Sequence, residues 1–169
     1  MSRFAPGPRI DTRTAALIVV IAAAGLLAVV FAMQFLGGFA PCHLCLLQRW
    51  PHGAVILLGA VAFLPVVSES GRRVLLLLCA VAFSITGGIG GYHVGVEHSI
   101  FTGPTSCRGD ITGATIEELR QKLMATPIIR CNEVTWSLFG ISLAGYNVLL
   151  STGLAIFSVI MGLRGLKNT

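Results

Sequence analysis

Four of the five cysteines fall into two groups that could carry out thiol–disulfide chemistry. Cys42 and Cys45 form a C-x-x-C pair, whereas Cys107 and Cys131 lie further along the chain, between two apolar stretches. Two cysteines at this spacing can bond across one helical turn, and the pKa of one thiol in such a pair is often lowered. Since the thiolate is the reactive form, the pattern is typical of redox sites. Cys79 lies alone in an apolar stretch and is predicted to be a small core residue.

The residues around the C-x-x-C pair also favour reactivity. Pro41 suits the entrance of a helix, and the helix N-terminus stabilises an anionic thiolate. Cys42, Cys45 and Arg49 follow at i, i+3 and i+7, which places them on one helical face. The cation of Arg49 would stabilise a thiolate further. An alternative role for Arg49 is an anchor that extends its charge to the lipid headgroups.

Other uses of these cysteines remain open at this point. A zinc site needs four compact ligands, which the four cysteines could supply with His43 or His52 in reserve. A set of purely structural disulfides is another alternative. Haem attachment is disfavoured, because it needs a histidine directly after the second cysteine and Leu46 stands there.

The composition indicates a membrane protein. Of the 169 residues, 54% are hydrophobic and only 11% are charged, against about 25% charged residues in soluble domains. A membrane-spanning helix needs roughly 20 apolar residues. We therefore predict an all-α, polytopic four-helix bundle that forms a single integral membrane domain over 1–169, with an uncleaved first span because its apolar run exceeds that of a signal peptide. The predicted spans cover 15–36, 46–67, 74–92 and 141–163.

Charge distribution predicts the orientation of this bundle. The side that holds both termini carries seven Lys or Arg and two acidic residues, whereas the other side carries five of each. The positive-inside rule places the termini in the cytoplasm, and it explains the net charge of +5 without a nucleic-acid partner. The loops at about 37–45 and 93–140 then face outward, where disulfides persist. Within the second loop, residues 115–124 match a capping box followed by an amphipathic helix, which could lie on the membrane or pack on the loop.

Two cysteine pairs on one face suggest a relay. Electrons pass between such pairs by thiolate attack through mixed disulfides, and they must then leave the protein. The sequence shows no flavin, nucleotide or haem motif, but an apolar span begins beside the first pair. A lipid-soluble quinone is the acceptor that this position favours.

Several motifs together make the chain resemble the DsbB family of disulfide bond formation proteins over most of its length. They are Pro41-Cys42-His43-Leu44-Cys45 with Gln48-Arg49, Gly91-Tyr92-His93 with Gly95-Val96-Glu97, Gly103-Pro104-Thr105-Ser106-Cys107, and the Trp136-Ser137-Leu138-Phe139-Gly140 and Ser142-Leu143-Ala144-Gly145-Tyr146-Asn147 stretches that follow Cys131.

The resemblance implies a four-helix protein of the bacterial inner membrane that reoxidises a periplasmic thioredoxin-like partner of DsbA type and passes the electrons to ubiquinone or menaquinone. It implies that the partner attacks Cys107, that the released Cys131 attacks Cys42, and that Cys45 is left as a thiolate facing the quinone.

The resemblance also bears on the quinone ligands. It implies that Arg49 holds a quinone oxygen, and it makes Gln48 and His93 further candidates for quinone binding. His98 competes with His93 for the family's histidine position. No metal is implied.

Two alternative functions come with different expectations. A vitamin K epoxide reductase-like enzyme also combines a helical bundle, a C-x-x-C pair and a quinone, although its membrane C-x-x-C lies late in the bundle rather than after the first span. A non-catalytic membrane scaffold would keep all four thiols oxidised and inert.

Overall fold

The computed structural model describes residues 10–107, 115–117, 120–121 and 130–164, and these residues are mostly helical. Within these described residues, four helical segments are long and apolar enough to cross a membrane, which confirms the predicted four-helix membrane bundle. The helices are α1 (Thr12–Phe35), α2 (His43–Leu47), α3 (Arg49–Ala62), α4 (Glu69–Glu97) and α5 (Leu143–Leu163), with α2 and α3 together forming the second span. A 3₁₀ turn (Thr105–Cys107) and two antiparallel strands, β1 (Ser137–Leu138) and β2 (Ile141–Ser142), lie between α4 and α5.

Side-chain caps fix where the spans begin. Asp11 accepts a hydrogen bond from the Thr14 N–H at 2.8 Å, and Ser68 and Ser142 do the same for the first turns of α4 and α5. A cap of this kind satisfies a backbone donor that the helix leaves unpaired. Consequently α1 and α4 begin before the first residues of their predicted spans, because hydropathy alone does not include the polar residues of the first turn.

The second span differs from its predicted range of 46–67. It begins at His43 because Cys42 caps α2, and it ends at Ala62, after which the N–H groups of Phe63 and Leu64 bond carbonyls three residues back. Pro65 cannot donate to a continuing helix and disfavours helical backbone at the residue before it, so the turn falls here.

The bundle packs through small residues. Buried alanines of α1 face α3, and a side chain on Gly59 would collide with Val20, so the two helices approach closely there. Helix α4 packs against α1, α3 and α5, and its Phe83 and Cys79 lie in the core, as predicted for Cys79. Large apolar side chains are exposed along all four spans, as expected for surfaces that face lipid.

Two expectations lie largely outside the described residues. Most of the predicted surface helix at 115–124 belongs to the parts of the chain that the structure does not describe. The single domain over 1–169 likewise stays a prediction.

The second loop begins after Glu97 rather than at His93, because α4 continues through both residues.

Candidate active site at the thiol end of the bundle

The two cysteine pairs meet in one buried cluster at the end of the bundle where α1 ends and α2 begins, here called the thiol end. Cys107 and Cys131 form a disulfide, and this disulfide packs with the buried Cys42. Cys42 and Cys45 are free thiols whose sulfurs lie 2.7 Å apart. A thiol pair and a disulfide in one cluster is the arrangement that thiol–disulfide exchange requires.

Cys42 is the better-stabilised thiolate of the reduced pair. It is the N-cap of α2, and its sulfur accepts a hydrogen bond from the Cys45 N–H at 3.3 Å and lies 3.6 Å from Nε2 of His93. The hydrogen bond from the Cys45 thiol, followed by the contact with His93 and the backbone N–H, holds the pKa of Cys42 well below its ordinary value, although burial opposes the shift. These contacts therefore favour Cys42 over Cys45 as the thiolate of the reduced pair.

A buried hydrogen-bond network sets the orientation of His93. The carbonyl of Thr86 can only accept, so Asn147 presents its Nδ2 to it at 3.1 Å and donates the same group to Oε1 of Gln48 at 2.7 Å. Gln48 must then direct Nε2 to the carbonyl of Leu44 and, at 3.1 Å, to Nδ1 of His93. Neutral His93 therefore accepts at Nδ1 and carries its hydrogen on Nε2, which faces the Cys42 sulfur.

The network depends on the close approach of α4 and α5. Gln48 and Thr86 are buried, and Ser151 donates to Oδ1 of Asn147 at 3.0 Å. A Cβ at Gly90 would lie 3.0 Å from Nδ2 of Asn147, so only glycine leaves full room for the amide at this point. The sequence indicates Gln48 as a candidate quinone ligand, and in the structure its side-chain amide also contacts His93.

His93, rather than His98, lies at the dithiol. Its ring is buried, and the backbone of Cys131 contacts it from the loop side. Its Nε2 is also 3.9 Å from the buried carboxylate of Glu97, which accepts a 2.6 Å hydrogen bond from Ser142. His98 caps the end of α4 and is exposed. Glu97 was not a predicted site residue, although its i, i+4 spacing from a histidine on one helix could have indicated the contact.

A cavity of about 960 Å³ opens beside the cysteine pair. Cys45 lines it, together with Gln48, Arg49, His52 and His93, whereas Cys42 does not. Its size is at the upper end for ligand pockets, and its mixture of many apolar and few polar side chains is typical of them. The apolar wall is formed mainly by α1 and α5, with Leu26, Val29, Met33, Leu150 and Leu154.

Arg49 is held at the seam between α1 and α3. One guanidinium nitrogen donates to Oε1 of Gln34 at 2.6 Å, and the group lies 4.8 Å above the ring of Phe31. Because a guanidinium has five N–H donors, further donors remain for a ligand in the cavity that Arg49 lines. This placement favours a binding role over a headgroup anchor.

The zinc alternative meets an obstacle in this geometry. Cys42, Cys45 and His93 bring three potential ligand atoms within 4.8 Å of one another. The four-cysteine set proposed from sequence is not available, however, because Cys107 and Cys131 are joined to each other and disulfide sulfurs are not thiolate ligands.

Comparison with known proteins decides the family. The model of the family described as disulfide bond formation protein DsbB matches residues 12–161. The chain belongs to the DsbB family. Membership in this family identifies the chain as a membrane protein that acts in disulfide formation and has a thiol–disulfide oxidoreductase role. The family found is not that of the vitamin K epoxide reductase-like enzymes, and its thiol–disulfide oxidoreductase role does not support a non-catalytic scaffold.

Several relatives share most of the length of this DsbB family member. It is similar to the disulfide bond formation protein B of Marinobacter nauticus, with 27% identity covering 87% of this chain and 89% of the relative. The corresponding protein of Dechloromonas aromatica is 29% identical over 83% of this chain and 86% of its own. An uncharacterized protein of Rickettsia prowazekii is 26% identical over 78% and 76%, respectively. No solved structure gives a significant match.

Proposed function

We propose that this protein oxidises a periplasmic thioredoxin-like dithiol protein of DsbA type and transfers the electrons to ubiquinone or menaquinone. The observation that carries this proposal is the single buried cluster of the two cysteine pairs, next to an apolar cavity that Cys45 lines and Cys42 does not. The chain would lie in the bacterial inner membrane, with both termini in the cytoplasm by the positive-inside rule.

The proposed relay begins at the disulfide. A thiolate of the partner attacks Cys107, the Cys107–Cys131 bond breaks, and Cys131 leaves as a thiolate. Attack by the partner's second thiolate then completes the partner's own disulfide and releases Cys107. Two electrons thus enter the protein as the reduced Cys107 and Cys131 pair.

Transfer to the second pair follows the same chemistry. The thiolate of Cys131 attacks the sulfur of Cys42 in a Cys42–Cys45 disulfide, and Cys45 leaves as a thiolate on the cavity side. Cys107 then attacks Cys131, which re-forms their disulfide and leaves Cys42 and Cys45 reduced. A disulfide at Cys107–Cys131 beside unbonded Cys42 and Cys45 is the arrangement expected after this last step.

His93 assists at Cys42. Its Nε2–H faces the Cys42 sulfur, so it stabilises the thiolate that forms when the Cys131–Cys42 bond breaks. Gln48 keeps the hydrogen on that nitrogen by donating to Nδ1. In this proposal His93 and Gln48 act on Cys42, and both also line the cavity.

The cavity fits a quinone. When bound, a quinone supplies an acceptor of two electrons and two protons. The apolar walls of α1 and α5 suit its ring and tail, and Arg49 offers N–H donors for a carbonyl oxygen. Cys45 lines the same space, so its sulfur is on the cavity side of the pair, from which electrons would reach a bound quinone.

Single-cysteine variants test the relay. Cys45→Ser should abolish quinone reduction while Cys107 still captures the partner as a mixed disulfide on a non-reducing gel. Cys107→Ser should abolish that capture. Cys79→Ala, in the core away from the cluster, is the matched control and should retain both reactions. Normal quinone reduction by Cys45→Ser would contradict the proposal.

A further inference from the structure

His52 has a buried nitrogen that the fold leaves without a partner. It lies one turn beyond Gln48, it is only 4% exposed, and it lines the same cavity as Cys45 and Arg49. Its Nδ1 is 2.9 Å from the backbone carbonyl of Gln48, and its ring packs edge-on against Phe83. Among the described residues, no group forms a hydrogen bond with Nε2.

The partner of Nδ1 determines what Nε2 can do. A carbonyl oxygen only accepts, so Nδ1 of His52 carries the hydrogen, and Nε2 of the neutral ring presents a lone pair. A buried acceptor without a donor costs free energy, and such an atom indicates a place where a ligand supplies the missing group. The missing group is therefore a hydrogen-bond donor, and His52 lines the cavity from which a ligand could donate.

We propose that Nε2 of His52 accepts a hydrogen bond from a hydroxyl of the reduced quinone, the quinol, and so makes the cavity prefer the reduced form. This inference rests on the proposed quinone function. The oxidised form has carbonyl oxygens that only accept, and it cannot satisfy this nitrogen. Arg49 has the opposite chemistry, because its guanidinium only donates.

Because the cavity binds the quinol more tightly than the quinone, His52 assists the reaction while it is itself chemically unchanged. Two electrons leave Cys42 and Cys45 as their disulfide forms, and the quinone gains these two electrons and two protons. One proton is that of the Cys45 thiol and, because Cys42 is a thiolate, the other comes from solvent. By stabilising the quinol, the hydrogen bond favours the product of this transfer. His52 is thus a specificity-determining residue for the redox form of the ligand.

Loss of this hydrogen bond should weaken quinol binding by about tenfold, which corresponds to about 1.4 kcal/mol. Quinone binding should change by less than about twofold, since no bond to the oxidised form is lost. For a two-electron couple, a tenfold change in the ratio of these affinities lowers the midpoint potential of the bound couple by about 30 mV.

Three substitutions separate the hydrogen bond from packing. His52→Asn can keep a donor for the Gln48 carbonyl while it removes Nε2. His52→Gln places an amide nearer to the Nε2 position and should restore most of the quinol affinity. His52→Phe keeps a ring against Phe83 and should lose quinol affinity as His52→Asn does, which provides a second test if the asparagine variant does not fold.

The measurement is equilibrium dialysis of a short-chain ubiquinone analogue and its quinol, under anaerobic conditions. The full-length protein carries Cys42→Ser and Cys45→Ser so that no electrons are exchanged. We expect an increased Kd for the quinol alone in His52→Asn. An unchanged quinol Kd, or an equal increase for both forms, would overturn the role of His52 while the quinone function stands. If the protein with His52 intact binds neither form, the quinone function itself fails.

Discussion

Replacing His93 with phenylalanine should make Cys42 a less acidic thiol. Phenylalanine keeps an aromatic ring in the buried site but removes the Nε2–H that faces the Cys42 sulfur. A hydrogen bond to a charged group contributes about 1.5–3 kcal/mol, and the N···S distance of 3.6 Å favours the lower end of this range. About 1.5 kcal/mol corresponds to a roughly tenfold lower ratio of thiolate to thiol at a given pH.

The assay is the pH dependence of alkylation at Cys42. Because the pKa of Cys42 is lowered, its thiolate persists at neutral pH, and its alkylation rate should stay level as the pH falls until acidic conditions protonate it. In His93→Phe this decline should begin at a higher pH. The reduced protein would carry Cys79→Ala, Cys107→Ser and Cys131→Ser, and mass spectrometry of peptides would separate Cys42 from Cys45.

His98→Phe is the matched control, because His98 is exposed at the end of the same helix and should leave the profile unchanged. If His93→Phe gives the same profile as the unsubstituted protein, the contact between His93 and Cys42 does not stabilise the thiolate. The role assigned to Gln48 in fixing the His93 hydrogen would then also lose its basis.

Two further predictions concern the cavity and the helix seam. Arg49→Met should raise the KM for quinone by about tenfold or more, because a charge-assisted hydrogen bond is lost, whereas Arg49→Lys should keep part of the affinity. If Arg49→Met and the unsubstituted protein have equal KM values in steady-state quinone reduction, Arg49 has an anchoring role instead. Gly90→Ala should lower the free energy of unfolding by a net ~1–2 kcal/mol, and with it the thermal midpoint in detergent, since its Cβ would press on Asn147. A Cβ at Gly88 would have no atom within 4 Å, so Gly88→Ala should not lower the midpoint. Equal midpoints for the two alanine variants would show that α4 and α5 can accommodate the added methyl group at Gly90.

The spans and the reactive cysteines could be predicted from sequence because both are local signals. Apolar runs of membrane length identify helices, and the C-x-x-C pair at a helix entrance identifies a reactive thiol. The ends of the spans were less accurate, since caps such as Asp11 and Ser68 are polar residues that hydropathy places outside a helix.

The polar network could not be predicted in this way, because it joins residues far apart in the chain. Asn147 and Gln48 are separated by 99 positions, and Thr86 approaches Asn147 from a third helix. Nothing in the spacing of these residues shows that their side chains meet, or that Gln48 determines which nitrogen of His93 carries hydrogen. For the same reason, the sequence could not choose between His93 and His98, whereas the packing of α4 against α2 does.

The most direct test of the relay is anaerobic turnover of the purified protein in detergent with a reduced thioredoxin-like dithiol partner and a soluble quinone. We predict loss of quinone absorbance with one quinone reduced per partner disulfide formed, and loss of this activity on replacement of Cys42, Cys45, Cys107 or Cys131 with serine. No turnover by the unsubstituted protein, with its thiols resistant to exchange with the partner, would contradict the account.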